Sequence, residues 1–268
     1  MLPTEENIIL IQKASDLISQ ASYCVALSGA GISTPSGIPD FRSPGSGIWT
    51  KYSPMEVATL SAFRYHPDRF YDWMRPFMGK LFEADPNPAH YALARLEEKN
   101  FLQAIITQNI DALHQKAGSK NVIEVHGTFQ TLTCLGCFKQ IDINQDILND
   151  FLNNGEKPLC PLCGELMKPD IILYEEQLPA DKWRSARQEI MACDLLLILG
   201  SSLTVTPACD LPLSALGNGA KIIILNYSHT HLDDQSVVNL QGDLAEVLPL
   251  ITAKVLNEKE KNQTDTDK

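Results

Sequence analysis

Five short apolar runs recur along the chain at helix-length intervals: YCVAL (23–27), LQAIIT (102–107), VIEV (122–125), DLLLILG (194–200) and KIIIL (221–225). Each is β-branched or leucine-rich and closes on a polar residue or a glycine. None alternates as a half-exposed strand does, so each predicts a strand buried on both faces of a parallel sheet. Between them the pattern takes the period of a helix. PAHYALARLEEKN (88–100) puts Ala89, Ala92, Leu93 and Leu96 on one face, and IDALHQKAG (110–118) predicts a helix stopped by Gly118. The opening MLPTEENIILIQKASDLISQ reads as an amphipathic helix and not an export leader, because Glu5, Glu6 and Asp16 stand where a basic head would. The alternation predicts an α/β fold, a doubly wound and mostly parallel Rossmann-like sheet. An aromatic-rich helical stretch (51–85) and a cysteine-bearing stretch (128–168) interrupt it and are expected to form a smaller lobe. The large domain then comprises 1–50, 86–127 and 169–256, followed by a polar tail (257–268) expected to fray. Ligand is expected where the carboxyl ends of the strands meet the small lobe.

Composition adds limits. With 44% hydrophobic and 21% charged positions, the 268 residues can bury a full core. No apolar run approaches the roughly 20 residues of a membrane span, which with the acidic N-terminus predicts a cytoplasmic protein. The formal charge of −11 argues against direct nucleic-acid binding, which needs a basic face. It would suit a lysine-rich peptide, although charge that merely maintains solubility explains the number equally well.

The seven cysteines sort by spacing. Cys134-Leu-Gly-Cys137 and Cys160-Pro-Leu-Cys163 are two knuckles separated by 22 residues, with Gly136 and Gly164 suited to tight turns. Two knuckles complete a tetrahedral Zn²⁺ site, and four thiolates leave no position for substrate, so one structural zinc is expected. Disulfides or a redox pair fit poorly in a chain without an export signal. Cys24, Cys193 and Cys209 lie in or beside apolar segments and read as core.

The segment SGAGISTPSGIPDFR (28–42) sets Gly29 and Gly31 directly after a predicted strand, which suits a pyrophosphate at a helix start. Thr34 stands where a third glycine of the dinucleotide fingerprint would be, and no acidic residue ends a strand about 20 positions later. A plain hydride-transfer dehydrogenase therefore fits poorly. Asn226, closing KIIILN, is a candidate for the ribose instead, and Gly200-Ser201-Ser202 forms a second glycine turn suited to an anion.

SGAGISTPSGIPDFRSPGSGIW (28–49), TQNIDALHQKAG (107–118), EVHG (124–127), the two knuckles, KPDI (168–171) and GSSLTV (200–205) together resemble the sirtuins, NAD-dependent protein-lysine deacylases. The resemblance extends from about residue 23 to 245, in the family's motif order. It implies NAD as co-substrate, acyl-lysine proteins or peptides as partners, and nicotinamide and 2′-O-acyl-ADP-ribose as products. It places the pyrophosphate on Gly29, Ala30, Gly31, Thr34, Arg42, Gly200, Ser201 and Ser202, with Asp243 among the nucleotide contacts. It gives nicotinamide to Ile110 and Asp111, makes Asp40 an organiser of its turn, and lays Phe41 over the reactive ribose carbon. Gln108 and Asn109 would position the ribose and a water. His126 would be the base, an imidazole suited to removing a ribose hydroxyl proton at neutral pH. His114 reads as structural.

The sequence departs from the family pattern in IILYEEQLP (171–179), where Tyr174 and Glu175 replace Phe-Gly. In this family the substrate peptide adds as a strand between this segment and the loop at Val205, so acyl-lysine would pass Ile172 and Tyr174. Glu175 would set an acid beside the peptide and favour basic neighbours. In FYDWMR (70–75), Tyr71 is followed by Met74 where sirtuins that remove acidic acyls have arginine, so neutral acyls, acetyl first, are expected. Protein mono-ADP-ribosyl transfer from the same NAD site is the alternative activity, and a non-enzymatic zinc-ribbon module is a third reading. Product mass separates the first two, and the presence of Asn109, Asp111 and His126 speaks against the third.

Overall fold

The computed structural model describes residues 5–43, 45 and 47–266; positions 44 and 46 of the first motif and 267–268 of the tail lie outside the described residues. Strands β1 (Cys24–Ser28), β2 (Ala104–Thr107), β3 (Val122–Glu124), β4 (Gly127–Cys134), β5 (Gln140–Asp142), β6 (Met167–Ile171), β7 (Leu195–Leu199), β8 (Lys221–Asn226) and β9 (Val238–Gln241) form two sheets. The larger is parallel, in the order β3-β2-β1-β7-β8-β9. All five expected strands are in it. The sixth, VNLQ, was missed because four residues carry too little apolar signal.

The continuous apolar runs are explained by the two helical layers. Along β1, Cys24 and Ala26 pack into one layer while Val25 and Leu27 pack into the other. The first layer is built on helices Glu5–Gln20, Pro88–Glu98 and Leu244–Thr266, the second on Ala180–Ala192 and Leu211–Gly217. Strand residues with period two thus meet apolar partners on both faces, so no polar alternation survives in the sequence. The helix Pro88–Glu98 buries Ala89, Ala92, Leu93 and Leu96 as the pattern required, together with His90. The helix expected over 110–118 is shorter: it runs Leu113–Lys116 after Ala112, which takes a left-handed φ of 57°. Ile110 and Asp111 consequently lie in a loop. Gly118 ends the segment at φ 104°. The last helix, Leu244–Thr266, runs on through the polar tail.

The second sheet is antiparallel, in the order β5-β4-β6, and carries both knuckles. Beside it, helices Leu60–Tyr65 and Pro67–Glu83 supply an aromatic core in which Phe63, Phe70, Tyr71 and Phe151 meet edge to face. The Tyr71 hydroxyl donates to the Met167 carbonyl, and this ties the helical insertion to β6. Cys24, Cys193 and Cys209 are all buried.

Candidate active site

The carboxyl ends of β1 and β7 are held so close that side chains are excluded. Gly29 N–H donates to Leu199 O (3.0 Å) and Gly31 N–H to Gly200 O (2.8 Å). A Cβ on Gly29 would lie 2.9 Å from Gly200 O, one on Gly31 2.8 Å from Gly200 Cα, and one on Gly200 2.4 Å from Ile32 N. The two glycine turns are therefore one unit. The amides of Gly29 and Gly31 are engaged within it, and Ala30, Thr34, Ser201 and Ser202 line the space beside it. The Asn226 side chain clamps the same loop, accepting from Ser201 N (3.0 Å) and donating to Ser201 O (2.8 Å). Its amide thus has a scaffold role that the strand-end reading did not foresee.

These turns open into a cleft of about 1600 Å³ between the large sheet and the small lobe, lined by every catalytic, nucleotide and peptide residue expected from sequence except Asp243. The Asp243 carboxylate accepts from Ala245 N (2.8 Å) at the start of the last helix, next to Leu244, which lines the cleft. The other assignments acquire definite geometry. Asp40 Oδ1 accepts from the backbone N–H of Arg42 (2.8 Å) and Ser43 (2.7 Å), which fixes the turn that presents Phe41 and Arg42. Phe41 leans on Trp49 (ring centroids 5.2 Å), which stacks on Trp73 (5.7 Å). The aromatic is thus backed by two indoles, Trp49 and Trp73, that sequence reading did not single out.

His126 sits where β3 passes into β4, with Gly127 at φ 78° and no room for a Cβ beside Asp170 O. Its Nδ1 is 3.1 Å from the carbonyl of Gln108. A carbonyl only accepts, so Nδ1 carries the proton and Nε2 keeps its lone pair. Burial first, and then the nearby Arg42 charge, push its pKa below the ordinary histidine value, against the Gln108 hydrogen bond, which raises it. The ring is a neutral base at pH 7.

Beneath the cleft floor lies a buried polar network. Ser33 Oγ donates to Asp111 Oδ2 (2.7 Å) and accepts from Asn109 Nδ2 (3.1 Å), while Leu113 N donates to Asp111 Oδ1 (2.9 Å). Burial raises the Asp111 pKa, opposed by these bonds. Ser33 was missed; one serine in a Ser/Thr/Pro run carries no signal of its contacts 78 residues away. Two further histidines support the network. His90 Nδ1 accepts from Asn87 N (3.3 Å), so its Nε2 faces Ser33 Oγ as a donor at 3.4 Å. His114 Nε2 meets Ser28 Oγ at 2.9 Å, which agrees with its structural reading.

Burial drives both rings below the ordinary value, His90 to about 4 and His114 to about 3. The folded state keeps them neutral while the unfolded chain protonates near pH 6.5. Their stabilisation is therefore complete above pH 6.5 and is lost as pH falls toward the folded values. Each contributes a slope of up to about 1.4 kcal/mol per pH unit. Denaturant unfolding at pH 6.5 and 5, in zinc-replete buffer, should show a slope that is shallower by about one proton in His114→Gln; equal slopes would refute this account.

On the small-lobe side, Ile172 N donates to His126 O (2.8 Å), and Tyr174 bridges to the helical insertion through Ala58 O (3.0 Å) and Leu60 N (3.0 Å). Glu175 takes the left-handed φ of 74° that glycine would take there. Its carboxylate turns to accept from Ser61 N (2.9 Å), and the Ser61 side chain, together with this backbone bond, lowers its pKa. The acid expected beside a peptide lines the cleft and is anchored to the helical insertion through this bond. Glu176 is paired as well, with the buried Lys168 (2.9 Å).

The four cysteines converge, their sulfur atoms all within 4.8 Å of one another. Cys134 and Cys163 sulfurs lie 3.5 Å apart, as do those of Cys137 and Cys160. That is far beyond a disulfide bond of about 2.05 Å and near the roughly 3.8 Å edge of a tetrahedron with 2.3 Å Zn–S bonds. The donor set fits one zinc ion, and Gly164 provides the turn at φ 77°.

The sequence pattern of the Sir2 family matches residues 29–207. The chain is 44% identical to an NAD-dependent protein deacylase 2 of Archaeoglobus fulgidus over 246 residues, covering 91% of this chain and 96% of that one. It is 43% identical to an NAD-dependent protein deacetylase of Thermotoga maritima over 231 residues, covering 86% and 92%. Among solved structures, a Sir2 protein with a p53 peptide and NAD⁺ superposes with a TM-score of 0.82 at 39% identity, over 93% of this chain and 98% of that one. Sir2Tm bound to a propionylated peptide gives 0.81 at 37% identity, with the same coverage.

Proposed function

The chain belongs to the Sir2 family, and from that premise we infer that it is an NAD-dependent protein-lysine deacylase, releasing nicotinamide and 2′-O-acyl-ADP-ribose. The observation that carries the reading is the His126 ring, held by the Gln108 carbonyl with Nε2 unprotonated, in a cleft that the glycine double turn also lines. NAD supplies the ribosyl carbon and the leaving nicotinamide, and the acyl oxygen of the substrate is the nucleophile. The chain's residues do the rest. Arg42, the Ala30 turn and Ser201–Ser202 hold the pyrophosphate. Ile110 and Asp111 hold the carboxamide, with Asp111 aimed by Ser33. Phe41, backed by Trp49, excludes water from the reacting carbon. His126 Nε2 takes a ribose hydroxyl proton.

The acyl-lysine peptide lies between Ile172–Glu175 and Val205, where its backbone adds to an exposed strand edge. The same reading divides the chain into the nucleotide-binding domain (1–50, 86–127, 169–256) and the two insertions that close over it. It also places the protein in the cytoplasm. No helix among the described residues is long and apolar enough to cross a membrane.

The acyl pocket is neutral. Met74 lines the cleft, but Tyr71 is buried away from it against Met167, and Arg75 lies over Phe151 and pairs with Asp72 at 3.3 Å. A carboxylate there would lose hydration without a partner, which costs several kcal/mol. Lys80 also lines the cleft, six residues and about 9 Å further along the helix. Acetyl-lysine and succinyl-lysine forms of one peptide, competed with NAD and followed by product mass, should favour acetyl by tenfold or more. Succinyl turnover equal to acetyl would show that Lys80 reaches the acyl group. ADP-ribose retained on protein, with no acyl-ADP-ribose, would overturn the deacylase reading itself.

A further inference from the structure

The charged groups of the cleft divide by sign. Its four carboxylates are all engaged by the protein: Asp40 by its turn, Asp111 by Ser33 and Leu113, Glu175 by Ser61, and Glu176 by Lys168. Its four full cations are Arg42, Lys80, Arg184 and Arg187, and no side-chain hydrogen bond or ion pair joins any of them to another described residue. In a chain of net charge −11, the charged cleft groups that have no side-chain partner among the described residues are all cations.

Arg42 and Lys80 belong to the nucleotide and acyl regions already described. Arg184 and Arg187 lie elsewhere, on the helix Ala180–Ala192 that leaves the peptide-lining segment directly after Pro179. That helix buries Ala186 and Ile190 against the sheet and turns Ala180, Trp183, Arg184, Arg187, Gln188 and Met191 to the cleft, at the i, i+3, i+4 spacing of one helical face. From 180 to 191 this face is about 16 Å long, the reach of roughly five extended residues.

We propose that this helix face is a subsite for the substrate chain beside the acyl-lysine, and that Arg184 and Arg187 select acidic side chains there. The proposal rests on the deacylase reading above and extends it to the substrate's sequence. The Ile172–Glu175 edge and this helix are separated by only four residues and line one cleft, and Trp183 offers a peptide leaving that edge an apolar contact. The net charge and the presence of only two cations on this face disfavour a nucleic-acid backbone. A guanidinium fork meets a carboxylate with two parallel hydrogen bonds, and the exposed setting limits the gain to roughly three- to tenfold.

The test uses acetyl-lysine peptides that differ only within five residues on one flank or the other, carrying Asp/Glu, Ala or Lys there. With NAD and the unmodified chain, one acid-flanked peptide should show a KM three- to tenfold below its alanine counterpart with kcat little changed, and the difference should fade in about 0.5 M salt. In Arg184→Gln/Arg187→Gln the two peptides should become equal. Glutamine keeps helix propensity at these exposed positions, and each single variant should lose part of the preference. Acid flanks no better than alanine on either side, or a preference that survives the double substitution, would overturn the proposal. Turnover of the alanine-flanked peptide by the unmodified chain tests the deacylase reading separately.

Discussion

His126→Ala should lower deacylation by ~10²–10⁴, the usual loss when a positioned base is removed, while NAD still binds. Binding should persist because the groups that hold the nucleotide turns belong to other elements: Asn226 on Ser201, Gln108 Nε2 on Ser201 Oγ at 2.9 Å, and Asn109 Nδ2 on Gly29 O at 3.2 Å. Exchange of free nicotinamide into NAD in the presence of acyl peptide should be affected less than acyl transfer, because breaking the nicotinamide bond needs no base. The pH profile of the unmodified enzyme should agree. The base works when unprotonated, and burial lowers its pKa, so the acid limb should fall below the 6.5 of an ordinary histidine. A variant that deacylates at the parent rate, or an acid limb well above 6.5 assigned to this ring, would remove His126 from the role.

Loss of zinc should have the larger structural effect. Cys160→Ser, or exhaustive chelation, should release one equivalent of metal and melt the sheet β4–β6, since structural zinc contributes folding energy directly, about 10–16 kcal/mol in isolated fingers. The consequences should reach the active site through the backbone. Strand β6 ends at Ile171, pairs with Gly127 next to His126, and continues into Ile172 and Tyr174. Peptide KM should therefore rise steeply, while the six-stranded sheet keeps its helical signal. Metal analysis that finds no zinc in folded, active protein would defeat this account.

Much of this enzyme is legible in one sequence, and the legible parts share a physical cause. Buried strands must be apolar on both faces, so five of six appear as runs. The two knuckles are visible because metal ligands must lie within a turn of each other. The glycines at 29, 31 and 200 mark a place where a Cβ does not fit. His126, the glycine turns and the zinc cysteines could accordingly be named from local pattern and family resemblance.

What the tertiary structure decided depends on who meets whom across the chain. Nothing near Asp243 says that its carboxylate accepts from Ala245 N while Leu244 beside it lines the cleft. No local feature shows that Glu175, at φ 74°, gives its acid to Ser61, 114 residues away. The same holds for the Ser33–Asp111 bond, and for Arg184 and Arg187 lining the cleft without a side-chain partner among the described residues. Hydrogen bonds and ion pairs between distant segments have no periodicity to betray them. Sequence alone therefore determined the fold class, the metal and the reaction, and folding determined which charges remain for a substrate to meet.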